Sequence, residues 1–304
     1  MFRARTSLVA VAVVAVTGLS ACATSSHNQG SGGPIEVAAS TNVWGSILAQ
    51  LGGTRVHETS IVSNPNTDPH DYEPTPADGR AIAAAKLFVL NGIGYDSWAR
   101  KAIAANPDSS RTTLDVGQLV GIGEGGNPHQ WYSPSSVEKV ADALTAALKK
   151  VDPASGSYFN QQRDAFDTNA LAKYHQVIND INAKYAGTSV GATESIVAPL
   201  TDALGLNLIT PASFLRAISE GTDPSASDRQ IINAQISAKQ PKVYLFNSQN
   251  ATPDVAAQIS AARKAGIPVL AWTETLSPAN ATFQDWQYAQ LKALQDALGQ
   301  ATGR

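Results

Sequence analysis

The chain has 304 residues, more than one hydrophobic core usually serves, so two domains are expected. A composition of 43% hydrophobic and 15% charged residues is that of a folded protein and excludes a mainly disordered one. With a net charge of -3 there is no basic excess to hold a phosphate backbone, which excludes nucleic acid as an expected partner.

Residues 1–22 read as a signal peptide. Arg3 and Arg5 give a positive start, residues 8–18 are apolar, and Leu19-Ser20-Ala21-Cys22 follows. The apolar stretch is too short to span a membrane. Cys22 is the only cysteine, which excludes intrachain disulfides and cysteine-based metal clusters. Residues 19–22 resemble a bacterial lipobox, whose cysteine becomes the lipidated N-terminus; an ordinary cleavable signal with a stray cysteine is the competing reading. Residues 23–34 are rich in Ser, Gly and Asn and read as a flexible tether.

The folded part begins with a strand over 35–39. Ser40, Thr41 and Asn42 offer helix caps before Val43, Trp44, Ile47, Leu48 and Leu51, which have helical spacing, and Gly52-Gly53 stops that helix. A second strand over 56–62 leads into a polar loop over 63–74. Thr75, Pro76 and Asp78 then open a helix that runs to about residue 86. A short apolar strand over 87–90, a helix over 95–104, a strand over 113–116 and a helix over 135–150 complete an N-terminal α/β lobe, residues 35–153. From 155 to 186 there is no proline, and Gly156 is the only glycine. Phe159, Phe166, Ala170, Tyr174, Val177, Ile178, Ile181 and Tyr185 recur at three- and four-residue steps. This pattern predicts one long rigid helix over 154–186, about 45 Å at about 1.5 Å per residue, weakest at 167–169, that joins two lobes. Residues 187–304 form the C-terminal lobe. Strands are expected over 189–192, 206–209, 243–246 and 269–271, and helices over 195–204, 226–239, 253–265 and 283–298, with a loop over 210–225. Strands alternating with helices imply parallel sheets, so the fold class is α/β with about four strands in each lobe.

Ligands of open α/β sheets bind beyond the carboxyl ends of the strands. Four metal-capable side chains lie there. His70 follows the second strand, in Asp68-Pro69-His70-Asp71-Tyr72-Glu73-Pro74, and His129 follows the fourth, in Asn127-Pro128-His129-Gln130-Trp131. Glu194 follows the first strand of the second lobe, and Glu274 follows its last, in Trp272-Thr273-Glu274-Thr275. Two imidazoles from one lobe and two carboxylates from the other would place a transition-metal site in the interlobe cleft. Taken singly, a loop histidine is more often solvated, and either Glu could simply favour a helix start. His27 in the tether, His57 inside a strand and His175 on the long helix read as structural or solvated.

The motifs around these residues resemble those of the zinc- and manganese-binding solute-binding lipoproteins of bacterial ABC importers, the metal-binding cluster A family. The likeness covers about residues 35–298. It rests on the His70 loop with Thr75-Pro76, on Asn91-Gly92 with Trp98, and on Asn127-Pro128-His129-Gln130-Trp131. Further support comes from Glu194 with Gly205-Leu206, Ser213-Phe214, Glu220-Gly221 and Pro224-Ser225. The resemblance implies His70, His129, Glu194 and Glu274 as the four metal ligands and a non-enzymatic, monomeric receptor. That receptor would be anchored outside the cytoplasm through lipidated Cys22 and would deliver its ion to an ABC permease. The family usually has Asp in a Thr-Asp-Ser context at the fourth position, where this chain has Glu274. Many zinc-binding members carry a His-rich loop before the second ligand; residues 121–126 contain no histidine.

The identity of the ion stays open between Zn2+ and Mn2+. Glu194 in place of His and the absent His-rich loop lean toward manganese, while zinc outcompetes manganese at most such sites. The alternatives are a metal-dependent hydrolase using the same site and a receptor for a metal chelate. No Gly-flanked nucleophilic serine in the folded part and no HExxH helix supports the hydrolase.

Overall fold

The computed structural model describes residues 1–2, 33–67, 69–250 and 252–304, without the side chain of Asp71. The signal segment from residue 3, Cys22, His27 and the tether through residue 32 lie outside the described residues.

The first half runs β1 (Ile35–Thr41), α1 (Asn42–Gly52), β2 (Val56–Val62), α2 (Pro76–Ala84), β3 (Leu87–Leu90), α3 (Ser97–Ala105), β4 (Thr112–Asp115), α4 (Val116–Val120) and α5 (Pro134–Val151). The middle of the chain holds α6 (Gly156–Ala165) and α7 (Ala172–Tyr185). The second half runs β5 (Ser189–Ala192), α8 (Ala198–Ala203), β6 (Asn207–Leu208), α9 (Ala212–Ser219), α10 (Ala226–Ser237), β7 (Val243–Asn247), α11 (Pro253–Lys264), β8 (Val269–Trp272) and α12 (Phe283–Thr302). The strands form two four-stranded parallel sheets, in the orders β2-β1-β3-β4 and β6-β5-β7-β8. The α/β class with two such sheets is therefore as the sequence pattern implies. In each sheet the connections leave the first strand toward one edge and then return to the other. This opens a crevice at the carboxyl ends, between β1 and β3 and between β5 and β7.

Two expectations need correction. The region 154–186 is not one uninterrupted α-helix: a π-helical turn, Phe166–Ala170, separates α6 from α7. Leu171 N–H donates to Phe166 O at 2.9 Å, and the Thr168 hydroxyl bonds back to Asp164 O. Asp, Thr and Asn are weak helix formers with side chains that compete for backbone partners, and such turns insert one residue into the ladder. The expected loop over 210–225 contains α9, whose Phe214, Leu215 and Ile218 are buried at helical spacing. Eight residues between polar loops give too short a periodic pattern to stand out.

The largest apolar cluster belongs to both lobes at once. It includes Val37, Val89, Trp44 and Trp131 from the first lobe and Val190, Leu245, Trp272 and Trp286 from the second. Tyr132 is the hinge of this packing, with its ring 5.2 Å from Trp272 and 5.5 Å from Trp286. Helix α12 carries Phe283 back against Tyr174 of α7, at 5.9 Å between rings. Polar contacts cross beside it: Leu276 N–H donates to Asn42 Oδ1 and Gln287 Nε2 donates to Trp131 O. The described residues from 33 onward form one compact unit in which the two sheets share a common core. Smaller clusters lie under the outer helices, around Phe88 and Trp98 in one lobe and Phe214 and Tyr244 in the other. Among the described residues no helix is long and apolar enough to cross a membrane.

Trp286 is 2% exposed and its Nε1–H donates to Thr273 Oγ1. Trp286→Ala is expected to cost about 3–5 kcal/mol of stability. Both lobes should unfold in a single denaturant transition; two separated transitions followed by far-UV dichroism and tryptophan fluorescence would contradict the shared core.

Candidate metal centre

Each candidate ligand is set by local chemistry in its own loop. His70 sits in a single 3-10 turn, Pro69–Asp71, after β2. The far end of its loop is fixed by a capping box, in which Thr75 and Asp78 satisfy each other's backbone N–H groups at the start of α2. Tyr72 O–H also donates to Asp78 Oδ2. His129 lies just before the 3-10 turn Gln130–Tyr132. The Asn127 Oδ1 atom accepts from His129 N–H at 3.0 Å and bonds His129 Nδ1 at 2.9 Å. An amide oxygen cannot donate, so Nδ1 carries the proton and Nε2 is a bare acceptor. Asn91, just beyond β3, holds the same loop from behind. Its Nδ2 donates to Pro128 O, and its Oδ1 accepts from Trp44 Nε1. Asp96 in turn accepts from the backbone N–H groups of Asn91 and Gly92, keeping that turn closed.

The two carboxylates come from the second lobe and are each 1% exposed. Glu274 Oε2 accepts from Tyr95 O–H at 2.8 Å and lies 3.5 Å from His70 Nε2 and 3.7 Å from His129 Nε2. Its backbone N–H donates to Gln249 Oε1, and Gln249 Nε2 reaches across to Thr67 O in the first lobe. Glu194 Oε1 accepts from Asn247 Nδ2 at 2.8 Å and its Oε2 accepts from Asn250 Nδ2 at 2.9 Å. The other Asn247 amide hydrogen goes to Glu274 Oε1 at 2.7 Å. One neutral side chain thus stands between two buried carboxylates.

The ligand atoms of His70, His129 and Glu274 lie within 4.8 Å of one another. Glu194 is outside that group and one amide away from it. Glu274, where the chain departs from the resembled pattern, is therefore central to the group, and Glu194 stands beside it. A glutamate at 274 reaches in from the β8 exit with one methylene more than an aspartate would have.

Burial pushes the His129 imidazole below its ordinary value, against the opposing pull of Glu274. Burial works the other way on Glu274, but the positive charge that its ring neighbours, His129 foremost, present in acid, together with the Tyr95 hydroxyl, overcomes it and holds its carboxyl well below the usual range. At neutral pH the pair is therefore a neutral imidazole facing a carboxylate. Two acceptor atoms face each other, and among the described residues His129 Nε2 is fully buried with no hydrogen-bond partner. Such a pair is repulsive until a cation sits between its members. The side chain of His70 is 25% exposed and is the candidate ligand that opens to solution. It borders an interlobe cleft of about 700 Å³ lined by Tyr95, Asn127, Ser195, Ile218 and Asn250.

The sequence reading missed Tyr95, Asn127, Asn247, Gln249 and Asn250 as contributors. Asn247 had a detectable signal, being a polar residue that closes the apolar strand Val243–Asn247 at its carboxyl end. A second group, Glu138, Asp167 and His175, gathers at the π-helical turn, so His175 is not merely solvated. Arg163 already pairs with Glu138 and Asp142 there and supplies the positive charge that this patch needs. His57 is exposed on β2 and paired with Glu36.

A model of the family described as zinc-uptake complex component A, periplasmic, matches residues 37–297. The chain belongs to this family. Relatives include the manganese-binding lipoprotein MntA of Halalkalibacterium halodurans, 26% identical over 163 residues, 52% of this chain and 53% of that protein. The manganese ABC transporter substrate-binding lipoprotein PsaA of Streptococcus pneumoniae is 26% identical over 204 residues, 63% of this chain and 64% of that protein. The chain thus spans between half and two thirds of the length of these two relatives. In fold, it superposes on a Mn-bound periplasmic metal-binding protein (S38A mutant) from Candidatus Liberibacter asiaticus. The TM-score is 0.72 at 18% identity, over 86% of this chain and 98% of the other.

His129 should stay neutral in the folded, metal-free protein at pH 6.5, the ordinary value for the ring. The ring nitrogen shifts in NMR should show the Nδ1–H tautomer, and an imidazolium at that pH would contradict the assignment. The sign follows from burial: the unfolded chain binds this proton more readily, so the folded state loses stability as pH falls below 6.5.

Proposed function

We propose that this protein is an extracytoplasmic receptor that captures a divalent transition metal, Zn2+ or Mn2+, and delivers it to an ABC permease. The observation that carries this reading is the convergence of His129 Nε2, His70 Nε2 and Glu274 Oε2 on one point inside the interlobe contact. His70, His129 and Glu274 bind the ion directly. Glu194 is the fourth ligand and moves the short distance that its amide partners allow. Two carboxylates offset the charge of a dication, and two neutral imidazoles complete a borderline-soft donor set. The relatives named as metal-binding and transporter lipoproteins support the same role.

Cys22 is the lipid attachment point, with residues 23–34 as the tether to the folded part, and the receptor acts as a monomer. The binding role fits the site better than hydrolysis does. Ser195 Oγ lies 3.4 Å from His129 Nδ1, but that nitrogen already gives its proton to Asn127 and cannot accept one from the serine. The candidate ligand atoms also face one another, which leaves little of the shell open for a reacting water.

The common aromatic core restricts how far the lobes can part. Capture then involves side chains and loops more than rotation of whole lobes, and release requires the permease to strain the site open. Small-angle scattering profiles with and without metal should superpose, and a large decrease in radius of gyration on loading would contradict this.

The protein should bind one divalent ion per chain by elemental analysis after dialysis. His129→Ala and Glu274→Ala should each weaken binding by more than about a hundredfold, beyond the effect typical of outer-shell partners. Affinity should fall as pH drops through the range where imidazoles protonate. No stoichiometric metal in the wild type would overturn the reading.

A further inference from the structure

Asn247 has both amide hydrogens committed, one to Oε1 of Glu194 and one to Oε1 of Glu274. Its orientation is not free. The backbone N–H of Gln249 donates to Asn247 Oδ1 at 2.9 Å, so the oxygen must face that way and the NH2 must face the carboxylates. The residue is 1% exposed and closes β7, which places it on rigid backbone at the centre of the second sheet. Gln249 in turn fixes the Glu274 loop through the N–H groups of Glu274 and Thr275.

We propose that Asn247 is the positioning residue that selects the ion, by holding Oε1 of both carboxylates out of the metal shell so that each glutamate binds through Oε2 alone. The inference rests on the metal-binding reading above. An amide hydrogen on Oε1 lowers that oxygen's donor strength and turns a partial positive charge toward any dication that approaches it. The Oε2 atoms carry donors too, the Tyr95 hydroxyl on Glu274 and the Asn250 amide on Glu194, but a hydroxyl can turn and Asn250 lies in the loop after β7, whereas Asn247 sits in the strand itself. Oε2 of Glu274 is already the oxygen directed at both imidazoles. With one oxygen from each carboxylate and one nitrogen from each histidine, the site supplies four donors. Four nitrogen and oxygen ligands in a tetrahedron satisfy zinc. Manganese favours more oxygen donors and a larger shell, and it would have to complete that shell with water from the cleft beside His70. Asn247 therefore widens the preference for zinc over manganese beyond what the ligand identities alone give. This answers a question that the residue types leave open, since two glutamates can supply from two to four oxygen atoms.

The test uses the full-length protein with Co2+ as a spectroscopic probe and Zn2+ against Mn2+ in chelator-buffered competition. Bound Co2+ should show the intense visible absorption of a four-coordinate ion. Asn247→Leu keeps the branched shape and removes both donors. It should weaken that band and lower the ratio of zinc to manganese affinity by about tenfold or more, the scale of outer-shell effects on metal sites. Asn247→Ser, smaller and unable to reach both carboxylates, should act in the same direction. Stoichiometric Co2+ with the weak absorption of five or six ligands in the wild type would overturn the proposal and leave the metal-binding role standing. So would an unchanged spectrum and ratio in either folded variant. Failure of the wild type to bind Co2+, Zn2+ and Mn2+ at all would overturn both. The wild-type spectrum needs no substitution, so it decides the matter even if neither variant folds.

Discussion

Two carboxylates buried within one amide of each other are the constraint around which the site is built. Isolated buried carboxylates are costly, and two side by side repel. Most polar features nearby answer that cost: the Asn247 amide shared between Glu194 and Glu274, the Tyr95 hydroxyl on Glu274 and the Asn250 amide on Glu194. These groups supply hydrogen bonds but no full positive charge. The missing charge is what a dication brings, and His129 Nε2 is turned toward the same place with its own proton on the opposite ring nitrogen. A protein that needed these residues only for its fold would gain more by placing apolar side chains there.

Such a centre has to be held while empty, and the shared aromatic core does this. Trp131 lies two residues after His129 and next to Tyr132 in sequence, and it packs with Tyr95, whose ring centroid is 5.2 Å away. Tyr132 carries the packing on to Trp272 and Trp286 and donates its hydroxyl to Thr273 O, next to Glu274. The candidate ligands of one lobe are thus connected through close-packed rings to the Glu274 loop of the other. Close-packed interiors shift between discrete arrangements rather than deform smoothly, which favours small movements on loading. The π-helical turn between α6 and α7 lies away from this contact and does not interrupt it.

Much of the fold was legible because parallel α/β units leave strong marks. Leu87–Leu90 is an unbroken apolar run, Thr75-Pro76 with Asp78 is a helix start, and the rule that ligands gather at strand exits led to all four candidate residues. The less regular parts were not legible. The stretch 166–170 keeps the apolar spacing of a helix; the weak helix formers at 167–169 mark where it is weakest, but nothing in the spacing reports the inserted residue. Helix α9 is two turns long and sits between loops, below the length at which periodicity separates helix from loop. The supporting side chains were harder still. Asn, Gln and Tyr are common in loops, and only their partners distinguish Asn247 from Asn64 or Asn106.

By itself the sequence determined the class of chemistry. It gave two imidazoles and two carboxylates at the exits of parallel strands, no cysteine among them, because residue type and strand position are written locally. The tertiary structure decided which of those residues meet, that Glu274 rather than Glu194 faces both histidines, and that one asparagine holds both acids. Those facts depend on distances between segments separated by up to about two hundred residues. Such distances are fixed only when the common core closes, since contacts of that range come from packing and not from local propensity.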